Sequence, residues 1–184
     1  MSTALTPTPF WFLRHGETDW NITSLAQGEV DIPLNQTGLA QAHASAEKLR
    51  GHGIRSIVSS SLSRAHDTAN IVAAAIGLPV VLDDGLREVA FGANEGLPIA
   101  EQWFTDWLNG VATPEGAESF AALRLRAASS INRALTREAP VLVVSHGGFF
   151  RALRANMGLE PNVRLPNGTP YFCEPGTPWE LTPA

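Results

Sequence analysis

Phe10-Trp11-Phe12-Leu13-Arg14-His15-Gly16 sets a short apolar run directly before a guanidinium, an imidazole and a glycine. Four large apolar residues in a row make a buried strand, and they fall far short of the roughly 20 needed to span a bilayer. Arg14-His15-Gly16 therefore stands at a strand's carboxyl end. The pattern returns at Val141-Leu142-Val143-Val144, which runs into Ser145-His146-Gly147-Gly148.

Further strand candidates lie at 54–59 and 80–82. Helical segments at 37–50, 63–76 and roughly 118–138 separate them, and a last helix follows Gly147-Gly148 as far as Met157 and Gly158. In 37–50, Leu39, Ala42, Ala46 and Leu49 share one side while Glu47, Lys48 and Arg50 lie elsewhere, and Gly51 closes it. Gly77 and Pro79 stop the second helix and Pro140 the third. Strands alternating with helices specify an α/β layer fold. Residues 83–116 break the rhythm: they are loop-rich, with Trp103, Phe104 and Trp107 at the spacing of one short helix, as in an insertion above the sheet edge. Tyr171-Phe172-Cys173 and Trp179-Glu180-Leu181 read as short strands finishing the sheet.

At 184 residues the chain has the size of one domain, taken as 1–184 with 97–115 as a lid-like insertion. Its 44% hydrophobic and 17% charged residues are those of a globular protein. With 13 Lys and Arg against 18 Asp and Glu, it lacks the basic surplus that tracks a nucleic-acid backbone, so no nucleic-acid partner is expected. The lone Cys173 suits a reducing compartment, and residues 1–9 lack the basic start and apolar run of a signal peptide. A cytoplasmic protein without a membrane partner is the expectation.

Open α/β sheets bind ligands at the carboxyl ends of their strands. If the strands at 10–14 and 141–144 are parallel neighbours, His15 and His146 converge there. Gly16, Gly147 and Gly148 allow close backbone approach, and the helix starting after Gly147 would aim unpaired N–H groups and its positive end at the same place. The strand at 54–59 adds Arg64 to this edge. Two guanidiniums, Arg14 and Arg64, with two imidazoles can surround one phosphoryl group, because the planar guanidinium fork donates paired hydrogen bonds to phosphate. Asn21 offers a neutral donor. A neutral imidazole whose first N–H is held by a strand backbone carbonyl keeps its other nitrogen free to attack phosphorus.

The chain resembles the histidine phosphatase superfamily, the phosphoglycerate mutase-like family. The likeness rests on Leu13-Arg14-His15-Gly16-Glu17-Thr18 with Trp20-Asn21, Gln27-Gly28 with Asp31 and Pro33-Leu34, and Ser59-Ser60 with Leu62, Arg64-Ala65 and Thr68-Ala69. It continues through Glu88, Phe91-Gly92, Glu95-Gly96, Gly116, Glu118-Ser119 and Ser145-His146-Gly147-Gly148, in the family's order from Phe10 to Arg154. It implies a three-layer αβα sandwich with a mostly parallel central sheet and no metal or cofactor. It implies His15 as the phosphorylated nucleophile, Arg14, Arg64 and His146 as holders of the transferring group, and Glu88 as proton donor. Asn21, Gln27, Gly28 and Gly147 join Arg14, Arg64 and His146 in binding the phosphate. Asn94 departs from the pattern, standing where members often carry an aromatic residue.

Glu17 is a competing acid by proximity, but its place beside Gly16 suits a structural hydrogen bond. Isolated His43, His52 and His66 have no spaced partners for a metal and receive no role. Trp103, Phe104 and Trp107 fit an apolar wall over substrate and a packing stripe equally well. The short segment 97–115 carries no Lys or Arg, whereas a mutase wants extra cations for a substrate carboxylate and a diphosphorylated intermediate. The expected activity is hydrolysis of a small phosphate monoester. Phosphoglycerate mutase-type transfer is the alternative, ahead of a protein phosphatase or an idle phospho-ligand-binding module.

Overall fold

The computed structural model describes residues 2–184; Met1 and the Glu101 side chain lie outside the described residues. The elements are β1 (Phe10–Arg14), α1 (Asp19–Ile22), α2 (Gln36–Leu49), β2 (Ser56–Ser59), α3 (Ser63–Ile76), β3 (Val80–Leu82) and α4 (Glu101–Leu108). They continue with α5 (Phe120–Ala134), β4 (Val141–Ser145), α6 (Gly147–Asn156), β5 (Pro170–Glu174) and β6 (Glu180–Pro183). The strands form one sheet in the order β3-β2-β4-β1-β5-β6. β1 to β4 run parallel, and the two tail strands add antiparallel pairings at one side.

Strand periodicity builds the layers. Phe10 and Phe12 of β1, Val58 of β2, and Val141 and Val143 of β4 pack on one face against Leu123 and Ile131 of α5 and Phe149 and Phe150 of α6. Trp11, Leu13, Ile57, Leu142 and Val144 turn to the other face, against Leu49 of α2 and Ala65, Ala69 and Val72 of α3. Period-two alternation between two apolar faces requires helices on both sides, which is the αβα sandwich. Each large side chain buried in these layers contributes about 1.5–3 kcal/mol.

The boundaries carry instructive differences. α2 begins at Gln36 because Asn35 caps it, its side-chain oxygen accepting the Gly38 N–H at 2.8 Å. α5 is shorter than the sequence pattern predicts: Ser119 caps its start, and at its end the Thr136 hydroxyl donates to the Arg133 carbonyl at 2.8 Å, a local bond that competes with another helical turn. The one-turn α1 is absent from the sequence expectation, being too short for periodicity; Thr18 and Asn21 hold it by reciprocal capping. Gly38 sits inside α2, where glycine costs about 1 kcal/mol. A Cβ there would lie 2.1 Å from the Glu17 carbonyl, so the missing side chain lets the loop after β1 rest directly on the helix.

Candidate active site

The site starts from register. β1 lies beside β4 with Arg14 opposite Ser145, so the next residues, His15 and His146, leave the sheet together, ring centroids 5.1 Å apart. The His15 N–H donates to the Ser145 carbonyl at 3.0 Å and fixes the pair. Ser59 at the end of β2 pairs with Val144, bringing Ser60 and the start of α3, with Arg64, to the same edge.

His15 is 2% exposed and its Nδ1 lies 2.7 Å from the Gly16 carbonyl oxygen. A carbonyl only accepts, so Nδ1 carries the hydrogen and Nε2 keeps its lone pair. Burial pushes the imidazole well below its ordinary value of 6.5, and Arg64 and Arg14 push the same way against the Gly16 hydrogen bond. The ring is neutral at physiological pH, as nucleophilic attack requires. The accepting carbonyl belongs to the residue after His15 and not to the strand itself.

His146 is fully buried beneath the pocket floor, its Nε2 2.8 Å from Ser60 Oγ. Ser60 Oγ also accepts the Leu62 N–H, and the other ring nitrogen of His146, Nδ1, is buried without a protein partner. Burial, then Arg64, His15 and Arg14, lower this imidazole well below its ordinary value too.

Arg14 donates through Nη1 to the Leu165 carbonyl at 2.6 Å. Gly147 lies against its guanidinium, where a Cβ would come within 3.2 Å of Cζ and Nε. Burial lowers Arg14 to about 10, with Glu88 opposing, and it stays charged. Arg64 is fully buried and donates to the Val30 and Gly28 carbonyls at 2.9 and 2.8 Å, so it braces the loop carrying Gln27 as well as facing the pocket. The Nε atoms of both arginines are buried donors without protein partners, and His146 Nδ1 is a buried ring nitrogen without one. Buried donors of this kind are costly unless an acceptor meets them. Two such guanidiniums line one cavity with His15, where the oxygens of an oxyanion would meet them.

Glu88 differs from expectation. The start of α6 does not offer unpaired N–H groups at Gly148 and Phe149, because Glu88 takes them at 2.8 and 2.7 Å and adds the Val89 N–H at 3.0 Å. The anion at this helix end is the protein's own carboxylate. Oε1 accepts two N–H groups and Oε2 one, so Oε2 keeps the freer lone pair. Arg126 holds the loop, donating to the carbonyls of Gly85, Arg87 and Glu88 while forking onto both Glu118 oxygens. Glu17 takes the structural place: Asn35 Nδ2 donates to its carboxylate at 3.1 Å.

These groups border a cavity of about 230 Å³, below the usual range for drug-sized ligands. Asn21, Gln27, Gly28 and Gly147 all line it. Asn21 Oδ1 accepts from Thr18 and Asn167, which leaves its NH2 to donate. Phe104 lines the cavity, whereas Trp107 is fully buried with its Nε1–H on the Glu118 carbonyl at 2.8 Å, and Trp103 packs edge-on against Phe91. The aromatic segment thus divides into one wall residue and two packing residues. Sequence reading missed two cavity-lining arginines, Arg151 and Arg164. Arg151 was findable, four residues after Gly147 and so on the same helix face; Arg164 lies in irregular chain without a local signal. No cluster of three or more His, Cys, Asp or Glu able to hold a metal occurs among the described residues, and no helix among them is long and apolar enough to cross a membrane.

Residues 10–167 match the model of the histidine phosphatase superfamily (branch 1). A probable phosphoglycerate mutase GpmB of Yersinia enterocolitica is 41% identical over 165 residues, covering 83% of this chain and 76% of that protein. Among solved structures, a mycobacterial glucosyl-3-phosphoglycerate phosphatase complexed with VO3 superposes with a TM-score of 0.83 at 30% identity, over 94% of this chain and 96% of that one. A phosphoserine phosphatase of Entamoeba histolytica in complex with 3-phosphoglyceric acid gives 0.81 at 26% identity, over 95% and 94%.

Proposed function

The chain belongs to the histidine phosphatase superfamily, and from that premise we propose that it is a phosphatase that hydrolyses a small phosphate monoester through a phosphohistidine on His15. One observation carries the reading: a buried neutral imidazole with Nδ1 fixed on a carbonyl stands beside two buried guanidiniums whose Nε–H groups lack protein partners. His15 Nε2 attacks phosphorus as the ester P–O bond breaks, and the leaving oxygen takes a proton from protonated Glu88. Glu88 then removes a proton from water, whose oxygen attacks phosphorus. The N–P bond breaks, its electron pair returns to Nε2, and inorganic phosphate leaves. Arg14, Arg64 and His146 offset the charge on the transferring oxygens. Asn21, Gln27, Gly28 and Gly147 complete the phosphate pocket. The chain acts as one catalytic domain in a reducing cytoplasm, on a small substrate and on neither nucleic acid nor membrane.

Mutase-type transfer is the second reading, favoured by the 41% identity to a probable phosphoglycerate mutase. Charge weighs against it. Four guanidiniums line the cavity, Arg14, Arg64, Arg151 and Arg164, so with Glu88 protonated as the proton donor it offers four positive charges. That is too few for two phosphate dianions and a carboxylate held together, as a diphosphorylated intermediate requires. The test is a panel of phosphate esters assayed separately for released phosphate and for transfer to phosphoglycerate, with alkali-stable, acid-labile phosphate mapped on the quenched protein. Release with label on His15 supports the phosphatase; transfer outpacing release identifies the mutase; absence of label at His15 rejects both.

A further inference from the structure

We propose that Asn167 is a positioning residue for the nucleophile: its amide N–H groups clasp the His15 and Gly16 carbonyls and orient Asn21, so that the His15 ring and the Asn21 NH2 meet one phosphoryl group together. The inference rests on the phosphatase reading and deepens it. Chemistry supplies the first argument. Asn167 Nδ2 lies 3.0 Å from the His15 carbonyl oxygen, 3.2 Å from Asn21 Oδ1 and 3.4 Å from the Gly16 carbonyl oxygen. These oxygens only accept, so three acceptors converge on one nitrogen, and a carboxamide NH2 serves them. The Thr18 N–H, which only donates, fixes Asn21 Oδ1 from the other side at 3.1 Å. Asn21 Nδ2 is thereby turned toward the cavity that Asn21 lines.

The nucleophile's own loop supplies the second. Around His15 the Gly168 N–H donates to the Arg14 carbonyl at 3.1 Å, the Gly16 N–H to Thr68 Oγ1 at 3.1 Å and the Glu17 N–H to Gln41 Oε1 at 2.8 Å. Among the described residues no donor but Asn167 meets the His15 carbonyl. A carbonyl left bare in a buried loop is costly, so the loop would move to find another donor. The neighbouring Gly16 carbonyl is the one that accepts the His15 Nδ1–H and keeps Nε2 free. Asn167 shares that acceptor and holds the carbonyl before it, so it fixes the group on which the tautomer depends.

The third argument is that the backbone carrying Asn167 is anchored without its side chain. Gly168, at a φ of +60°, rests on α2 where a Cβ would come within 2.6 Å of Gln41 Cβ, and its carbonyl accepts the Ser45 hydroxyl at 2.7 Å. Two residues before Asn167, the Leu165 carbonyl accepts from Arg14 Nη1 at 2.6 Å. The turn therefore stays in place when the carboxamide is removed, and what is lost is the clasp. A packing role would depend on the shape of the side chain, whereas the clasp depends on its donors.

The test compares Asn167→Asp, which keeps the shape and replaces the donor by an acceptor, with Asn167→Ala, which removes both. In rapid-quench measurements with p-nitrophenyl phosphate, the rate of His15 phosphorylation should fall roughly ten- to a hundredfold in Asn167→Ala and further in Asn167→Asp. Asn167→Ser, which retains one O–H donor, should recover part of the loss. Affinity for inorganic phosphate should fall about three- to tenfold in Asn167→Ala, but by less than about twofold when Asn21→Ala is already present, because the amide it aims is then gone. In nitrogen-15 spectra the unmodified protein should show His15 with Nδ1 protonated, and Asn167→Ala should draw the two ring signals toward each other as the second tautomer enters. Should Asn167→Ala lose its circular dichroism signature, Asn167→Ser against Asn167→Asp makes the same comparison. Phosphorylation in Asn167→Asp within about threefold of the unmodified rate, or His15 ring signals unmoved in every variant, would overturn the clasp. Failure of the phosphatase reading looks different: the unmodified protein forms no phosphohistidine, yet the ring signals and the phosphate affinity still follow Asn167.

Discussion

His15 and His146 leave two adjacent parallel strands in which every residue is buried, while the segment from Leu97 to Glu115 borders the cavity through Ile99 and Phe104, with most of its residues partly or fully exposed. Backbone register fixes the first region, so its side chains are free to serve chemistry. Aromatic packing fixes the second: Trp107 sits 5.4 Å from Phe91 and 5.1 Å from Phe120, and the few buried side chains, Phe104, Trp107 and Leu108, hold the segment down. Position and chemistry are separable at the strand ends and merged in the segment.

The sharpest way to break that contrast is to exchange residues across it. His15→Ala should lower phosphate release by at least roughly a thousandfold while the denaturation midpoint barely moves, because the strands hold the edge without the imidazole. Trp107→Ala should do the reverse. Removing a fully buried indole costs about 3–5 kcal/mol in a denaturant titration. The folded fraction should show a raised KM through the Phe91 and Phe104 walls, with kcat within roughly tenfold. If Trp107→Ala lost kcat as completely as His15→Ala, the segment would belong to the chemistry.

The same contrast explains how much was legible in the sequence. Apolar runs ending in Arg14-His15-Gly16 and Ser145-His146-Gly147-Gly148 state a period, so the α/β layers could be read from them, and so could the meeting of the imidazoles and Arg64 on the condition that the strands are parallel neighbours. The sandwich came from the family resemblance and the register from the structure. The fate of Glu88's oxygens could not be read, since it depends on a loop of irregular chain meeting the start of α6 some 60 residues later. Nor could the split among Trp103, Phe104 and Trp107, because helical spacing gives relative direction but not which side faces the cavity. Arg164 was invisible for the same reason as α1: neither belongs to an element long enough to have a period.

Gly148→Ala probes the place where the two modes of positioning meet. A Cβ at 148 would lie 2.7 Å from Glu88 Oε1 and 2.9 Å from Val89 Cγ1, so these side chains must shift and the carboxylate's seat on the α6 N–H groups is disturbed. The expected cost is about 1–3 kcal/mol in stability. Hydrolysis of alkyl phosphates, whose leaving oxygen needs a proton, should fall roughly ten- to a hundredfold, and that of p-nitrophenyl phosphate much less. Equal losses on both esters would reassign the proton donor.

The pH dependence of stability tests the strand ends without any change to the segment. Both imidazoles are held well below 6.5 by burial first and then by neighbouring charges, Arg64 the foremost of them, so between the folded values and 6.5 the unfolded chain binds protons at these positions that the folded chain does not. Stability is therefore fully present above 6.5 and declines as pH falls below it, by about 1.4 kcal/mol per pH unit for each histidine. Urea midpoints from pH 7 to 5 should show this slope, and His146→Gln should reduce it by about half. Segment 97–115 contains no histidine, so Trp107→Ala should lower the whole curve without changing its slope in this window. A slope indifferent to His146→Gln would mean that the buried pair is not its source. A slope that changed with Trp107→Ala would mean that the aromatic segment helps to keep water from the imidazoles, and the two regions would then share one function.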